Sequence, residues 1–395
     1  MKILQICNKI PYPVVDGGTA AMHQLGQGLS MLGHEVKILA IHTPKQNFQE
    51  QKLSAEYLKT YNPEYVFLDT SVKPIPAFLN LFSSESYNIK RFDSPILRSV
   101  LSKILQNEKY DIVLLDSLFV TPYIDTIRNH SSSKIILRAH NVEHLVWERN
   151  AAIEKNSLKK RYLNFLAKRL KNYELQTIKK LDGVAAISLS DLDYFKQSLN
   201  VPTEYIPFGY NVKSDFNVYD FINDRAYFLG SMDWSPNHEA LIWILENIFP
   251  VLESLKNSFH ITVAGNKMPA EFIQKTNKNF EVKGKIDNPE KFIEQFGVLI
   301  APIFSGGGLK IKVVEAMANG KLVITTPIGA EGLGAIENVH FLLCKTKEEF
   351  ISAIQFCLVN KQKASEIAQR GQDFIRENYG LEKIYSKLNK FMSSV

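Results

Sequence analysis

Cysteine is scarce in this 395-residue chain, with Cys7, Cys344 and Cys357 the only three. An odd number without metal-type spacing excludes a disulfide framework and fits a reducing compartment. No run approaches the roughly 20 apolar residues that a membrane-spanning helix requires. The opening MKILQIC carries one Lys before an apolar stretch and then reaches Asn8 and Lys9. No signal peptide is therefore expected, and the chain is placed in the cytoplasm. The G-x-G-x-x-G fingerprint is missing after the first strand, and Gly26-Gln27-Gly28 falls inside a predicted helix. That disfavours a dinucleotide-dependent dehydrogenase. Short repeats and low-complexity segments are also missing.

What is there describes an ordinary globular protein, with 45% hydrophobic and 22% charged residues. The length asks for two domains rather than one core. A net charge of +6 suits an enzyme of phosphorylated ligands, although dispersed, solvated Lys gives the same total.

The first forty residues read as a strand–helix–strand unit. KILQIC is a strand, Asn8 to Gly18 a loop, and Met22, Leu25, Leu29 and Leu32 recur at helical spacing before Gly33 stops the helix and VKILAI follows. EYVFLD, DIVLLD, KIILRAH and GVAAIS continue the alternation. The stretch from Pro202 to Val212 reads as an inter-domain linker. A second series then runs through AYFLG, HITVAG, FEVKGKI, GVLIAPI, KLVITT and HFLLC. The expectation is an α/β protein of two Rossmann-like domains, 1–205 and 206–379, with a C-terminal helix at about 380–395 packing back on the first. A ligand cleft is expected between them, facing the carboxyl ends of the strands.

The densest chemistry lies between Gly297 and Gly332. A strand ending at Ile303 leads to Gly306, Gly307 and Gly308, and a helix is expected to open near Leu309. Glycines admit a ligand close to the backbone, and a helix start offers N–H groups and positive potential, which together suit a diphosphate. Lys310 and Lys312 add mobile positive charge, and Glu315, one turn beyond Lys312, can accept hydrogen bonds from two sugar hydroxyls. The plainer reading is a strand-to-helix turn with a surface ion pair worth about 0.3 kcal/mol. Three successive glycines exceed what such a turn needs.

His140 ends a predicted strand in LRAHNVE, where a histidine is either a hydrogen-bonded structural residue or a ligand contact. Its position at the carboxyl end of a parallel strand favours the second. Arg138, Asn141 and Glu143 are equally open to acceptor contact and to packing. The Asp191-Leu192-Asp193 pair follows Ser190 at a helix start and reads as capping, so no metal ligand is assigned. From Leu158 to Lys180, eight Lys and Arg face one acid, Glu174, with Leu158, Tyr162, Phe165, Leu166, Leu170 and Tyr173 as an apolar stripe. A solvated surface helix is the plainer reading; peripheral contact with an anionic bilayer is the sharper one, apt for a lipid-linked acceptor. No nucleic-acid motif accompanies the charge.

Taken together these blocks resemble the retaining glycosyltransferases of family 4, whose members share the GT-B fold. The resemblance rests on the Gly306–Gly308 turn, Lys312, Glu315-Ala316-Met317-Ala318 and Gly320. It is supported by Gly17-Gly18 with GHEV, by LRAHNVE, and by FLGSMDWSPNHEAL. It implies a nucleoside-diphosphate sugar as donor, no cofactor and no metal. It further implies that Glu315 holds the donor ribose, and that Gly17, Gly18, Gly306, Gly307, Gly308, Leu309, Lys310 and Lys312 line the diphosphate. Lys285 and Ile286 are placed by the base. His140 and Lys312 are the expected catalytic residues, in bacterial polysaccharide or glycolipid assembly. Two features depart from the family pattern. Gly307 stands where many members carry a second Glu, and Ser231-Met232-Asp233 where many carry Arg and Lys. A nucleotide-sugar epimerase and a non-catalytic nucleotide-sugar-binding relative are the alternatives.

Overall fold

Short, mostly buried strands alternate with helices through the described residues, because strands covered on both faces select continuous apolar runs rather than alternation. The computed structural model describes residues 1–44, 46, 48, 53–212, 224–252 and 259–395. Two units are distinct, Met1–Phe208 with Glu382–Val395, and Gly209–Leu381.

The first unit holds β1 (Lys2–Cys7), β2 (Glu35–His42), β3 (Glu64–Phe67), β4 (Ile112–Asp116), β5 (Lys134–Ala139), β6 (Gly183–Ala186) and β7 (Thr203–Tyr205). They form one parallel sheet in the order β3-β2-β1-β4-β5-β6-β7. The second unit holds β8 (Arg225–Leu229), β9 (His260–Ala264), β10 (Phe280–Val282), β11 (Val298–Ala301), β12 (Leu322–Thr325) and β13 (Leu342–Leu343). Its parallel sheet runs β10-β9-β8-β11-β12-β13. In both sheets the order reverses beside the unit's first strand, between β1 and β4 and between β8 and β11. Ligands of open α/β sheets gather outside the carboxyl ends at such a switch point.

Four expected boundaries shift. Part of the expected linker is strand β7, secured by Val184 N–H to the Pro202 carbonyl and Ile206 N–H to the Ala186 carbonyl. Pro202 reads as a breaker, yet just before an edge strand its missing N–H costs nothing. Strand β11 stops at Ala301 rather than Ile303, because Ile303 N–H turns back onto the Ala301 carbonyl. The following helix opens at Ile311, two residues later than expected. Gly17 and Gly18 are not in a loop but are the first residues of the helix Gly17–Met31, since Asp16 caps it by accepting Thr19 N–H.

The helix Leu381–Ser394 completes the first unit, burying Ile384, Tyr385, Leu388, Phe391 and Met392. Its Tyr385 donates to the Gln24 carbonyl at 2.8 Å and lies where a Cβ on Gly28 would fall, 1.9 Å from the ring. Among the described residues no helix is long and apolar enough to cross a membrane.

Candidate functional site

In the second unit the loops after β8 and β11 flank the switch point. The turn after β11 needs its glycines, because Gly306 has φ +89 and Gly308 φ +70, values that L side chains rarely adopt. A Cβ on Gly306 would also fall 3.1 Å from Pro236 and 3.2 Å from Trp234. Gly306 and Gly308 are buried, and Gly307 is the half-exposed member. The turn is anchored from behind by Ser305 Oγ donating to Glu239 Oε2 at 2.6 Å, while Ser235 donates to the other oxygen at 2.8 Å.

Two side chains of this turn point inward. The Leu309 side chain is buried in the core, because the chain turns inward before the helix begins. Lys310 is not a mobile charge. Its buried ammonium donates to the Gly308 carbonyl at 2.7 Å and lies 3.8 Å from Glu331, so it ties the turn together from inside.

Lys312 and Glu315 stand on the helix Ile311–Ala318 behind the turn. The Lys312 ammonium donates to Asn237 Oδ1 and lies 4.2 Å from the centre of the Phe228 ring. Asn237 is itself buried and donates to the Ser231 carbonyl at 2.8 Å, so it carries the Lys312 contact on to the loop after β8. Burial pushes the Lys312 pKa down to about 7, against the pull of Glu315. Burial, then Glu290, raises the Glu315 carboxyl, with Lys312 opposing. Among the described residues nothing donates a hydrogen bond to the Glu315 carboxylate, which leaves its oxygens open to hydroxyl donors.

Lys285 and Ile286 lie on the loop after the edge strand β10, Lys285 exposed and Ile286 packed on the core. Among the described residues no hydrogen bond or ion pair joins either to the Gly306–Lys312 group. A cation that the sequence reading passed over lies nearer the switch point. Lys267, on the loop after β9, pairs with Asp233 Oδ2 at 2.7 Å, beside Ser231-Met232-Asp233.

In the first unit His140 follows β5 directly. Its Nε2 is 2.6 Å from Oδ1 of Asp116, the last residue of β4, and Asp116 is fully buried. The second Asp116 oxygen accepts from Gln5 Nε2 of β1 at 2.8 Å. A carboxylate oxygen accepts, so Nε2 faces Asp116 as the donor and Nδ1 is the ring nitrogen left for another partner. Arg138, a neighbour in β5, is buried; burial lowers its pKa while Asp116 opposes.

The turn after His140 is fixed by the one acid of the basic helix. Glu174, on the helix Ser157–Ile178, accepts Glu143 N–H at 3.0 Å, His144 N–H at 3.1 Å and His144 Nδ1 at 2.6 Å. It thereby satisfies the start of the helix Glu143–Ile153, which has no side-chain cap of its own. Burial and the Glu174 charge push the Glu143 carboxyl up to about 8. Asn141 Nδ2 approaches Glu143 Oε1 at 3.4 Å.

Gly17 and Gly18 lead a helix whose end is already served by a carboxylate. Lys9 holds both Asp16 oxygens at 2.7 Å, and a Cβ on Gly18 would fall 2.8 Å from that ammonium. Asp191 is capped by Ser188, not Ser190, through Asp191 N–H to Ser188 Oγ at 3.1 Å. Among the described residues no group of three or more His, Cys, Asp and Glu is arranged to hold a metal ion.

Residues 15–214 match the family described as Glycosyltransferase Family 4, and residues 223–360 match that described as Glycosyl transferases group 1. A relative from Klebsiella pneumoniae, an uncharacterized 44.6 kDa protein in the cps region, is 25% identical over 399 residues, spanning 98% of this chain and 99% of that one. Among solved structures, sucrose-phosphate synthase from Thermosynechococcus elongatus superimposes with a TM-score of 0.71 at 14% identity, covering 100% of this chain and 99% of the other. Anabaena HepE in complex with UDP gives 0.66 at 12%, covering 100% of both. At such identities the structures share the fold alone. With half the chain matched by the first family and two parallel α/β sheets of the GT-B kind, this chain belongs to glycosyltransferase family 4.

Proposed function

We propose that the chain transfers a glycosyl group from a nucleoside-diphosphate sugar to an acceptor hydroxyl with retention of configuration, in the assembly of a bacterial surface polysaccharide or glycolipid. The observation that carries this reading is the pairing of Lys312 and an open Glu315 carboxylate behind the Gly306–Gly308 turn, at the carboxyl end of β11 beside the switch point. A uridine diphosphate donor is favoured because HepE, of like fold, binds UDP and UDP-glucose. The setting is favoured by the relative from a cps region.

In this reading Glu315 accepts from the ribose hydroxyls. The Gly307 backbone and the Lys312 ammonium meet the diphosphate, with Lys267 as a further cation at the same edge. The anomeric carbon–oxygen bond to the diphosphate breaks as the acceptor oxygen bonds the same face, and the acceptor's proton passes to the departing diphosphate. Charge grows on the leaving group, so donors aimed there lower the barrier selectively. His140 Nδ1 accepts from a hydroxyl of the transferred sugar and orients it. Charge neutralisation is assigned to Lys312 and backbone N–H groups, with no metal.

Calorimetry with UDP tests the assignment. The Glu315→Ala variant should fold normally and bind at least about tenfold more weakly, the worth of a charge-assisted hydrogen bond; unchanged affinity would overturn the ribose role. The anomeric proton coupling of the product tests retention, and an inverted product refutes it. Conversion of the donor without any acceptor would point instead to an epimerase.

A further inference from the structure

One short helix of the first unit is built inside out. In Pro74–Asn80 and the residue pair beyond it, Ile75, Phe78, Leu79 and Phe82 stand at positions i, i+3, i+4 and i+7, the spacing of a single helix face. A surface helix turns that face to the core. Here it faces outward, with side chains 73%, 60%, 61% and 80% exposed, while Asn80 is the residue buried. Val72 and Leu81 are exposed beside them. The Phe78 and Phe82 rings contact each other edge-on at 5.6 Å.

This outward face is held in place at both ends. Arg91 donates to the Thr70 carbonyl at 2.8 Å, and the Tyr87 hydroxyl accepts Lys73 N–H at 3.0 Å. At the other end Arg169 donates to the Asn80 carbonyl at 2.6 Å and to the Leu81 carbonyl at 3.2 Å. Arg169 belongs to the helix Ser157–Ile178, so the apolar face is fastened to the basic helix. Lys168 adjoins Arg169, and Arg161 stands two turns before it; both are exposed, and among the described residues no acid pairs with either. Leu158, expected in the buried stripe of that helix, is instead 80% exposed.

We propose that the face Val72–Phe82, with the flanking cations Arg161 and Lys168, is the surface by which this chain docks on an anionic lipid bilayer. Large side chains fixed outward beside unpaired cations match a bilayer interface, where the rings enter the acyl boundary and the cations meet headgroup phosphates. Charge complementarity selects this occupant over a second copy, since two such faces would bring like charges together. The proposal is independent of the donor assignment.

Co-sedimentation of the full chain with phosphatidylcholine vesicles containing about a third phosphatidylglycerol tests it, with pure phosphatidylcholine as control. The chain should pellet with the anionic vesicles and be released as salt rises. The double variant Phe78→Ser, Phe82→Ser should partition at least about tenfold more weakly. Arg161→Ala with Lys168→Ala should lose about as much on anionic vesicles alone. Both variants should keep wild-type melting and UDP affinity, because none of the four side chains is buried. A wild-type chain left in the supernatant, or variants that pellet as well as wild type, would overturn the proposal. So would a dimer in sedimentation velocity that the Phe78, Phe82 variant abolishes, since the face would then belong to a second copy.

Discussion

An ammonium set between an amide oxygen and a ring face loses more in leaving water than those partners return, and Lys312 carries that deficit as a pKa near neutrality. An arriving diphosphate favours the charged form. UDP binding at about pH 8.5 should therefore take up roughly one proton, and far less at about pH 6, where Lys312 is already charged and part of the UDP arrives with its terminal phosphate protonated. Calorimetry in two buffers of different ionisation enthalpy measures this uptake, and equal values at both pH settings would separate Lys312 from the diphosphate. Folding follows the same sign. The folded value lies below the unfolded 10.5, so the unfolded chain binds more protons between about 7 and 10.5, and this residue's contribution to stability rises with pH across that window. At His140 the governing residue is Asp116. Asp116→Asn offers an amide N–H to Nε2, which moves the ring proton to Nδ1 and removes the acceptor that the sugar role needs. Turnover should fall about ten- to hundredfold, the worth of a charge-assisted hydrogen bond, with little change in the donor KM. A rise in KM at constant kcat would make the pair a binding feature only.

At the level of elements, the helix Gly17–Met31 shows why glycine inside a helix can be a packing decision. Gly28→Ala should gain about 1 kcal/mol in helix propensity. Its new methyl would lie 1.9 Å from the Tyr385 ring, which is anchored through its hydroxyl, and such overpacking costs about 1–3 kcal/mol. A lowered melting temperature is expected, restored in part by Tyr385→Leu. Gly26-Gln27-Gly28 could be read in the sequence as helical, but not for what it packs against, since Tyr385 is supplied from the far end of the chain. The same division holds elsewhere. The apolar runs and the glycine turn announce the strands, the switch-point loops and the Lys312–Glu315 spacing. Asp116 was hidden, because an acid ending an apolar run looks like any strand terminus. Only the parallel pairing of β4 with β5 sets it against a histidine 24 residues away. Asn237 meets Lys312 across 75 residues, and the inward turn of Lys310 follows from a helix that starts two residues late. Sequence spacing cannot report either contact.

For the whole molecule, catalysis without a metal has a direct check. Activity should survive prolonged chelation and gain less than about twofold from added divalent ions; an enzyme silenced by chelation and revived by magnesium or manganese would reassign the leaving-group chemistry. The returning C-terminal helix offers a second check. Its five buried side chains contribute about 2 kcal/mol each, a sum that rivals the whole stability of a typical domain. A chain ending at Leu381 should lose the cooperative unfolding of the first unit while the second, whose contiguous segment is intact, still melts separately in calorimetry. This arrangement also sets an order of events during synthesis. The second unit's stretch leaves the ribosome before the first unit possesses its closing helix, so the earlier-made half must wait, with an uncovered apolar flank, for the later-made half to finish.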